Sequence, residues 1–129
     1  MMEPDQNMPI RYKYLGDKNI LISSAHGEIS ASDNAASNAR VLEELERRPG
    51  LKLLVDLREA GFEPSPVVFL GMMEAFFELV GDRLPVAVVH TEVPNETFAM
   101  LAETQAFIAG APMRIYDDRQ DAINWLDRQ

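Results

Sequence analysis

Two histidines, a scatter of carboxylates and one serine before a proline are the side chains through which this 129-residue chain could do chemistry. His26 closes an apolar run that begins at Ile20, and His90 closes Val86-Ala-Val-Val89. Asp56 and Arg58 stand two residues apart at the end of the run Leu51–Leu57, Ser65 precedes Pro66, and Asp117 follows Tyr116. Two imidazoles with a carboxylate suit a metal ion or acid–base work. No His-x-His or His-x-x-x-His spacing supports that use, and histidines that merely close strands are equally natural. Asp56 and Arg58 suit an anion or a partner surface, but they also suit pairing with each other or capping the next helix. Ser65 reads as a phosphoacceptor at a helix N-terminus or as the ordinary cap of that helix.

Several chemistries are excluded from the start. The absence of cysteine removes disulfides, thiolate metal sites and cysteine nucleophiles. The seven glycines are scattered and form no phosphate-cradling loop, and no G-x-S-x-G elbow is present. No convincing catalytic set remains, so the chain is expected to be a non-enzymatic module with no cofactor and no metal. Its formal charge of −9 argues against nucleic acid as a partner, since that binding is driven by clustered positive charge. No apolar run reaches the length of a membrane span. Met1 to Pro9 is polar, with two prolines, and reads as a flexible lead-in rather than a signal peptide. Residues 10–129 are expected to form one domain, located in the cytoplasm.

The elements that must position these residues follow from two alternating periodicities. Ile10 to Leu15 sets Ile10, Tyr12 and Tyr14 on one face against Arg11, Lys13 and Leu15 on the other, as a half-buried strand does. Gly16-Asp17-Lys18-Asn19 turns into a second strand, Ile20 to His26, completing a hairpin. Ser30 to Arg48 is expected to be a helix with Ala35, Ala39, Leu42 and Leu45 as its buried stripe, stopped by Pro49-Gly50. Leu51–Leu57 and Val86–His90 are apolar enough to be strands covered on both faces. Ser65-Pro66 opens a helix that runs to about Val80, and a third helix spans roughly Asn95 to Ala109. Met113 to Tyr116 is a last short strand, and Asp118 caps a final helix anchored by Ala122, Ile123, Trp125 and Leu126. This order implies a mixed, mostly parallel five-stranded sheet with an N-terminal hairpin and four helices.

A parallel sheet gathers the C-terminal ends of its strands along one edge, where α/β proteins bind ligands. Here that edge collects His26, Glu28, Asp56, Arg58, Glu59, Ser65, His90, Thr91 and Asp117. With one strand between them, the two His-bearing strands would lie about 10 Å apart.

The helix from Pro66 to Val80 carries more apolar surface than one neighbour can cover. Gly71, Glu74, Ala75, Glu78 and Asp82 share a narrow arc. The rest is apolar over roughly 200°, where a one-sided helix needs only about 100°. Phe69, Leu70, Met73, Phe76, Phe77 and Val80 are therefore expected to meet something: the neighbouring helix, a second subunit, a protein partner or an apolar ligand. From Asp56 to Glu103 there are nine acidic residues against Arg58 and Arg83, a bias that would steer a basic partner and that equally serves solubility.

In order and spacing these pieces resemble the SpoIIAA-like, or STAS/SEC14-like, family. The matching segments are Ile20-Leu-Ile-Ser-Ser, Gly27-Glu-Ile-Ser30, Leu53-Leu-Val-Asp-Leu-Arg58 and Val86-Ala-Val-Val89. They end in Met113-Arg-Ile-Tyr-Asp-Asp and Ala122-Ile-Asn-Trp-Leu126. The resemblance spans Ile10 to Leu126 and implies an α/β fold built as a (βα) superhelix. It also implies a kinship with anti-sigma-factor antagonists, which bind a kinase partner and are switched by phosphorylation of a serine after the third strand. Laying Asp56-Leu57 on the family's Asp-Leu places Pro64, Ser65 and Pro66 on that turn, with Pro66 at the usual acceptor position and Ser65 as the only hydroxyl.

The leading expectation is thus a homodimeric, protein-binding or regulatory module. The alternatives are a carrier or sensor of a small, lipid-like apolar ligand, and a phospho-switched antagonist acting through Ser65. The strand-edge binding residues are expected to be His26, Asp56, Arg58, Ser65, His90 and Asp117.

Overall fold

A computed structural model describes residues 9–62, 65–91 and 96–129. β1 (Ile10–Leu15) and β2 (Ile20–Ile29) form the antiparallel hairpin. There follow α1 (Ala31–Arg47), β3 (Lys52–Phe62), α2 (Pro66–Val80), β4 (Val86–Val89), α3 (Glu96–Ala109), β5 (Met113–Tyr116) and α4 (Arg119–Asp127). The sheet runs β1-β2-β3-β4-β5, and every pair after the hairpin is parallel. The expected mixed five-stranded α/β sheet with four helices is the observed one. Because the strand order is sequential, the right-handed crossovers all advance in one direction and leave α1, α2 and α3 on one face. α4 returns over the opposite face.

The core therefore has two layers. Leu21, Ala25, Ile29, Leu53, Leu57, Val86 and Val88 point toward α1, α2 and α3 and pack on Val41, Leu45, Phe76, Phe77 and Val80. Ile20, Ile22, Leu54, Ala87 and Val89 point toward α4 and pack on Ala122, Trp125 and Leu126. Each such large side chain gains about 1.5–3 kcal/mol by leaving water. β4 and the first half of β3 are covered on both faces, which is why Val86–Val89 and Leu53-Leu54-Val55 are continuously apolar.

The helix ends follow the local signals. Ser30 closes a capping box with Asp33, Ser65 caps α2, and Asp118 accepts from the Gln120 and Asp121 amides. Gly81 ends α2 at φ 56°, a left-handed value that favours glycine, with its N–H donating to the Phe77 carbonyl at 2.8 Å.

Three expectations need correction. β2 extends to Ile29 rather than His26, and β3 to Phe62 rather than Leu57. The two strands continue to pair beyond the polar residues that looked like their ends, with His26 opposite Glu59 and Ile29 opposite Phe62. The buried stripe of α1 is Ser37, Val41, Glu44 and Leu45, whereas Ala35 and Ala39 are exposed and Leu42 is half-buried. Leu45 is buried as expected, and Val41 brings more apolar area to the sheet than an alanine does. The polar residues that rotate inward with them are satisfied: Tyr12 Oη donates to Ser37 Oγ at 2.8 Å, and Glu44 accepts from Arg47 and Arg48 at 3.1 and 3.0 Å. β4 ends at Val89, so His90 lies just past it. The expected lead-in, apart from Pro9, and the expected helix start at Asn95 lie outside the described residues.

Candidate functional site

The site is built around a register shift. β2 and β3 pair Ser24 with Asp56 and then His26 with Glu59, so two residues of β3, Leu57 and Arg58, oppose Ala25 alone. The extra residue is a β-bulge, which bends its strand and re-aims the side chains around it. Before it, odd-numbered residues of β3 such as Leu53 and Leu57 face the larger core; after it, Ala60 does. The bulge leaves Arg58 beside Asp56 with its guanidinium turned back along the strand. Arg58 donates from Nε to Asp56 Oδ1 at 2.9 Å, from Nη2 to Oδ2 at 2.7 Å, and from its backbone N–H to Oδ1 at 3.1 Å. Arg119, the first residue of α4, places Nη1 3.8 Å from Asp56 Oδ2.

These charges tune one another. Burial of Asp56, which is only 6% exposed, works to raise its pKa. The hydrogen bonds and charge of Arg58, with the charge of Arg119, outweigh that penalty and hold the carboxyl below its ordinary value. Reciprocally, the Asp56 hydrogen bonds raise the pKa of Arg58 against the opposing effect of burial.

The same row extends across the sheet. Arg11 of β1 lies opposite Ser24, and Ser24 opposite Asp56. At its far end the row continues through Val89 to Tyr116, beneath α4. α4 meets the hairpin near its turn, where Leu15, Ile20 and Ile22 pack on it, and an open cleft of about 260 Å³ lies between β1 and the start of α4. Arg11, Lys13, Ser24, His26, Asp56, Arg58, Glu59 and Arg119 line it. At its rim His26 Nδ1 lies 3.2 Å from Glu59 Oε2.

Of the six strand-edge residues expected to bind, His26, Asp56 and Arg58 line this cleft, joined by Glu59. Ser65, His90 and Asp117 do not line it. Ser65 Oγ accepts from the Val68 amide at 3.3 Å as the cap of α2. His90 Nδ1 lies 2.8 Å from the Thr91 carbonyl, and Asp117 is exposed beyond β5. Glu28 lies over Gly61, where a Cβ would come 2.7 Å from Oε1. Among the described residues no group of three His, Asp or Glu could hold a metal ion. Sequence reasoning missed Arg11, Lys13, Ser24 and Arg119 as cleft residues. The alternation of β1 already set Arg11 and Lys13 together, but only the sheet order shows which face is left uncovered.

On the other face, Phe69, Phe76, Phe77 and Val80 of α2 are buried, and Leu70 and Met73 are half-buried. α2 packs on α3, with the rings of Phe69 and Phe98 edge to face at 4.7 Å. The apolar surface left in water lies elsewhere than at Phe69, Phe76, Phe77 and Val80. It comprises Val67, Val68 and Leu79 of α2 and Met100, Phe107 and Ile108 of α3. Burying the two largest apolar stripes of α2 against the sheet and α3 turns the remaining one outward.

Behind α2, Phe69, Met73, Phe76 and Phe77 line a partly open cavity of about 80 Å³ bordered by the sheet and by α1. The wall from α1 is polar, with Asn34, Ser37 and Asn38. Asn34 Nδ2 donates to Met72 Sδ at 3.9 Å across the gap between the two helices.

No protein-family model and no curated protein matches the chain. Solved structures do. An uncharacterized protein of the DUF3478 family from Shewanella loihica PV-4, with a SpoIIAA-like fold, superposes with a TM-score of 0.65 at 18% identity, over 91% of each chain. An anti-sigma factor antagonist from Mycobacterium paratuberculosis superposes with a TM-score of 0.62 at 20% identity, over 100% of each chain. At these identities the likeness speaks to architecture, and it agrees with the sequential sheet, the hairpin and the helix placement described above: the chain has a SpoIIAA-like, STAS-type fold.

Proposed function

We propose that this chain is a non-enzymatic regulatory module that acts by binding a protein partner through the outer faces of α2 and α3. The observation that carries this reading is the exposed apolar surface of those helices, with Phe107 at 85%, Val67 at 80% and Ile108 at 71% exposure. Solvent-facing side chains of this size gain nothing by being apolar unless something covers them. Glu74, Glu78, Glu96 and Glu103 stand exposed on the same two helices, which hold no basic residue. The partner is therefore an apolar surface bordered by basic side chains, steered by opposite charge. The regulatory character is supported by the likeness to an anti-sigma factor antagonist. A second copy of the chain is the competing occupant, but a two-fold axis here would bring these acidic residues toward their own counterparts.

The test is affinity capture from the source cells, followed by rebinding of the purified partner, with Phe107→Glu as the comparison. Loss of rebinding in a variant that unfolds like the parent supports the assignment. Rebinding unchanged by the variant overturns it. Light scattering that shows a dimer broken by Phe107→Glu gives the face to a second copy instead.

A second reading, binding of a small apolar ligand, is favoured by the cavity behind Phe69, Met73, Phe76 and Phe77. At about 80 Å³ it is smaller than the roughly 150 Å³ cavity known to admit benzene. A lipid-like guest would have to part α1 from α2. Native mass spectrometry of protein purified from cells tests it directly: bound mass supports this reading, and an empty protein counts against it.

A further inference from the structure

β2 carries two small residues, Ser23 and Ala25, between Leu21 and Ile29 on the face turned toward α1, α2 and α3. Side chains alternate along a strand, so Ser23 shares the face of Leu21 and Ala25. It lies opposite Tyr12 of β1 and Val55 of β3 and is only 5% exposed. Among the described residues its hydroxyl has no hydrogen-bond partner. A buried hydroxyl left unpaired costs folding free energy that an alanine would not. Both small residues border the cavity of about 80 Å³ behind α2, where larger side chains would have filled the space.

The other polar groups of the cavity come from α1. Ser37, 8% exposed, accepts from Tyr12 Oη at 2.8 Å, which leaves its own proton to donate. Tyr12 is also the sheet neighbour of Ser23, so the two serines flank one tyrosine at the same end of the cavity. Asn38 is half-buried and its side chain has no partner among the described residues. Asn34 spends its amide nitrogen on Met72 Sδ at 3.9 Å, and a thioether is a weak acceptor. The facing wall from α2, with Phe69, Met73, Phe76 and Phe77, offers no side-chain N–H or O–H. No Lys, Arg, His, Asp or Glu lines the cavity. An ion brought there would lie without a countercharge, whereas a neutral hydroxyl or carbonyl would find donors and acceptors.

We propose that this cavity binds a small neutral amphiphile, an alcohol or a carbonyl compound, with its oxygen between Ser23 and the α1 wall and its hydrocarbon part against α2. This rests on the reading of the cavity as an apolar-ligand site and adds to it a polar end without charge. Ser23 and Ser37 can donate to that oxygen, and Asn38 can donate to it or accept from it. The hydrocarbon part is short. About 80 Å³ is less than the roughly 150 Å³ that admits benzene, so a longer chain would leave through the partly open side. Met73 can repack around the guest, because a methionine side chain is unbranched and adaptable. Solvent is the competing occupant, since a polar recess of this size has room for water.

The experiment is an amide-resolved NMR titration of the full chain with three probes. 1-Butanol carries the hydroxyl, 1-chlorobutane keeps the chain without it, and butyrate carries a charge instead. 1-Butanol is expected to shift the amides of Ser23, Ser37, Asn38 and Met73 and to bind more tightly than either analogue. Ser23→Ala should weaken 1-butanol about fivefold and leave 1-chlorobutane unchanged. It should also unfold in urea no more easily than the parent, because the hydroxyl has no partner to lose. Asn38→Ala, on the half-buried wall, should weaken 1-butanol likewise and tests the site from the other side of the oxygen. 1-Butanol bound no better than 1-chlorobutane, or bound unweakened in both variants, overturns the polar end and leaves the apolar-ligand reading standing. Butyrate bound as tightly as 1-butanol overturns the neutral assignment. Failure of both 1-butanol and 1-chlorobutane to bind gives the polar groups to solvent and overturns the proposal together with that reading.

Discussion

Asp56 and Arg58 hold each other across a single step of β3, with both guanidinium hydrogen bonds and a backbone hydrogen bond converging on one carboxylate. Residues two apart on a flat strand are about 7 Å apart along the chain direction and stand nearly parallel. The bulge at Leu57 and Arg58 bends the strand enough to close that gap. The pair therefore reports the bulge, and the bulge in turn sets where β3 directs its charge.

Asp56→Asn is expected to destabilise the protein by about 1–3 kcal/mol, the range for removing hydrogen bonds to a charged group. Arg58 is part-exposed and stays hydrated when its partner is lost, which keeps the cost below that of a fully buried pair. Urea unfolding measures it. The double variant Asp56→Asn/Arg58→Met should recover part of the loss, because no uncompensated guanidinium then remains beside the sheet.

Acid should remove the same contribution in the parent protein. Asp56 has a lowered pKa in the folded state. So does Glu44, through its hydrogen bond to Arg48 and the charges of Arg47, Arg48 and Arg40, against the opposing effect of burial. A lowered folded value means the unfolded chain binds protons first as the pH drops. The contribution is complete above the ordinary carboxylate range, near about 4, and is lost as the pH falls from there through the lowered native values. Unfolding free energies measured between neutral pH and about pH 3 should fall in that window, and Asp56→Asn should flatten part of the slope.

Ser65→Ala should cost about 0.5–2 kcal/mol, because the alanine leaves the Val68 amide without its cap. Ser65→Asp should stay close to the parent, since aspartate caps as well as serine and its charge suits the helix N-terminus. Thermal unfolding of both variants checks the pair. A Ser65→Asp protein as weak as Ser65→Ala would mean that the cap is not what this side chain provides.

Phe76 and Phe107 should behave oppositely although both are phenylalanines on the same side of the sheet. Phe76→Ala opens a hole in the core and should cost about 3–5 kcal/mol. Phe107→Ala removes an exposed ring and should change stability by no more than about 0.5 kcal/mol. Denaturant unfolding of the two variants separates a core ring from a solvent-exposed one.

Much of the fold was legible in the chain because local chemistry specifies it. Ser65-Pro66 and Gly81 bracket α2, Asp118 opens α4, and the apolar runs Leu53-Leu54-Val55 of β3 and Val86–Val89 of β4 require cover on both faces. The alternation of β1 likewise set Arg11 and Lys13 on the face opposite Tyr12. Periodicity and capping act within a few residues, so they can be read from sequence.

What crosses the chain could not be read that way. The α1 stripe turned toward Ser37, Val41 and Glu44 because Tyr12, Arg47 and Arg48, from other parts of the chain or the helix end, satisfy its polar groups. Which phenylalanines of α2 are buried depended on where α3 and the sheet press against it. The meeting of Arg11, Arg58 and Arg119, separated by 47 and 61 residues of chain, required the strand order, the one-residue bulge and the placement of the first turn of α4 together. Each of these is a packing outcome among distant segments. The residues determined which surfaces were apolar, charged or capped; only the tertiary structure decided which of those surfaces would face one another and which would face water.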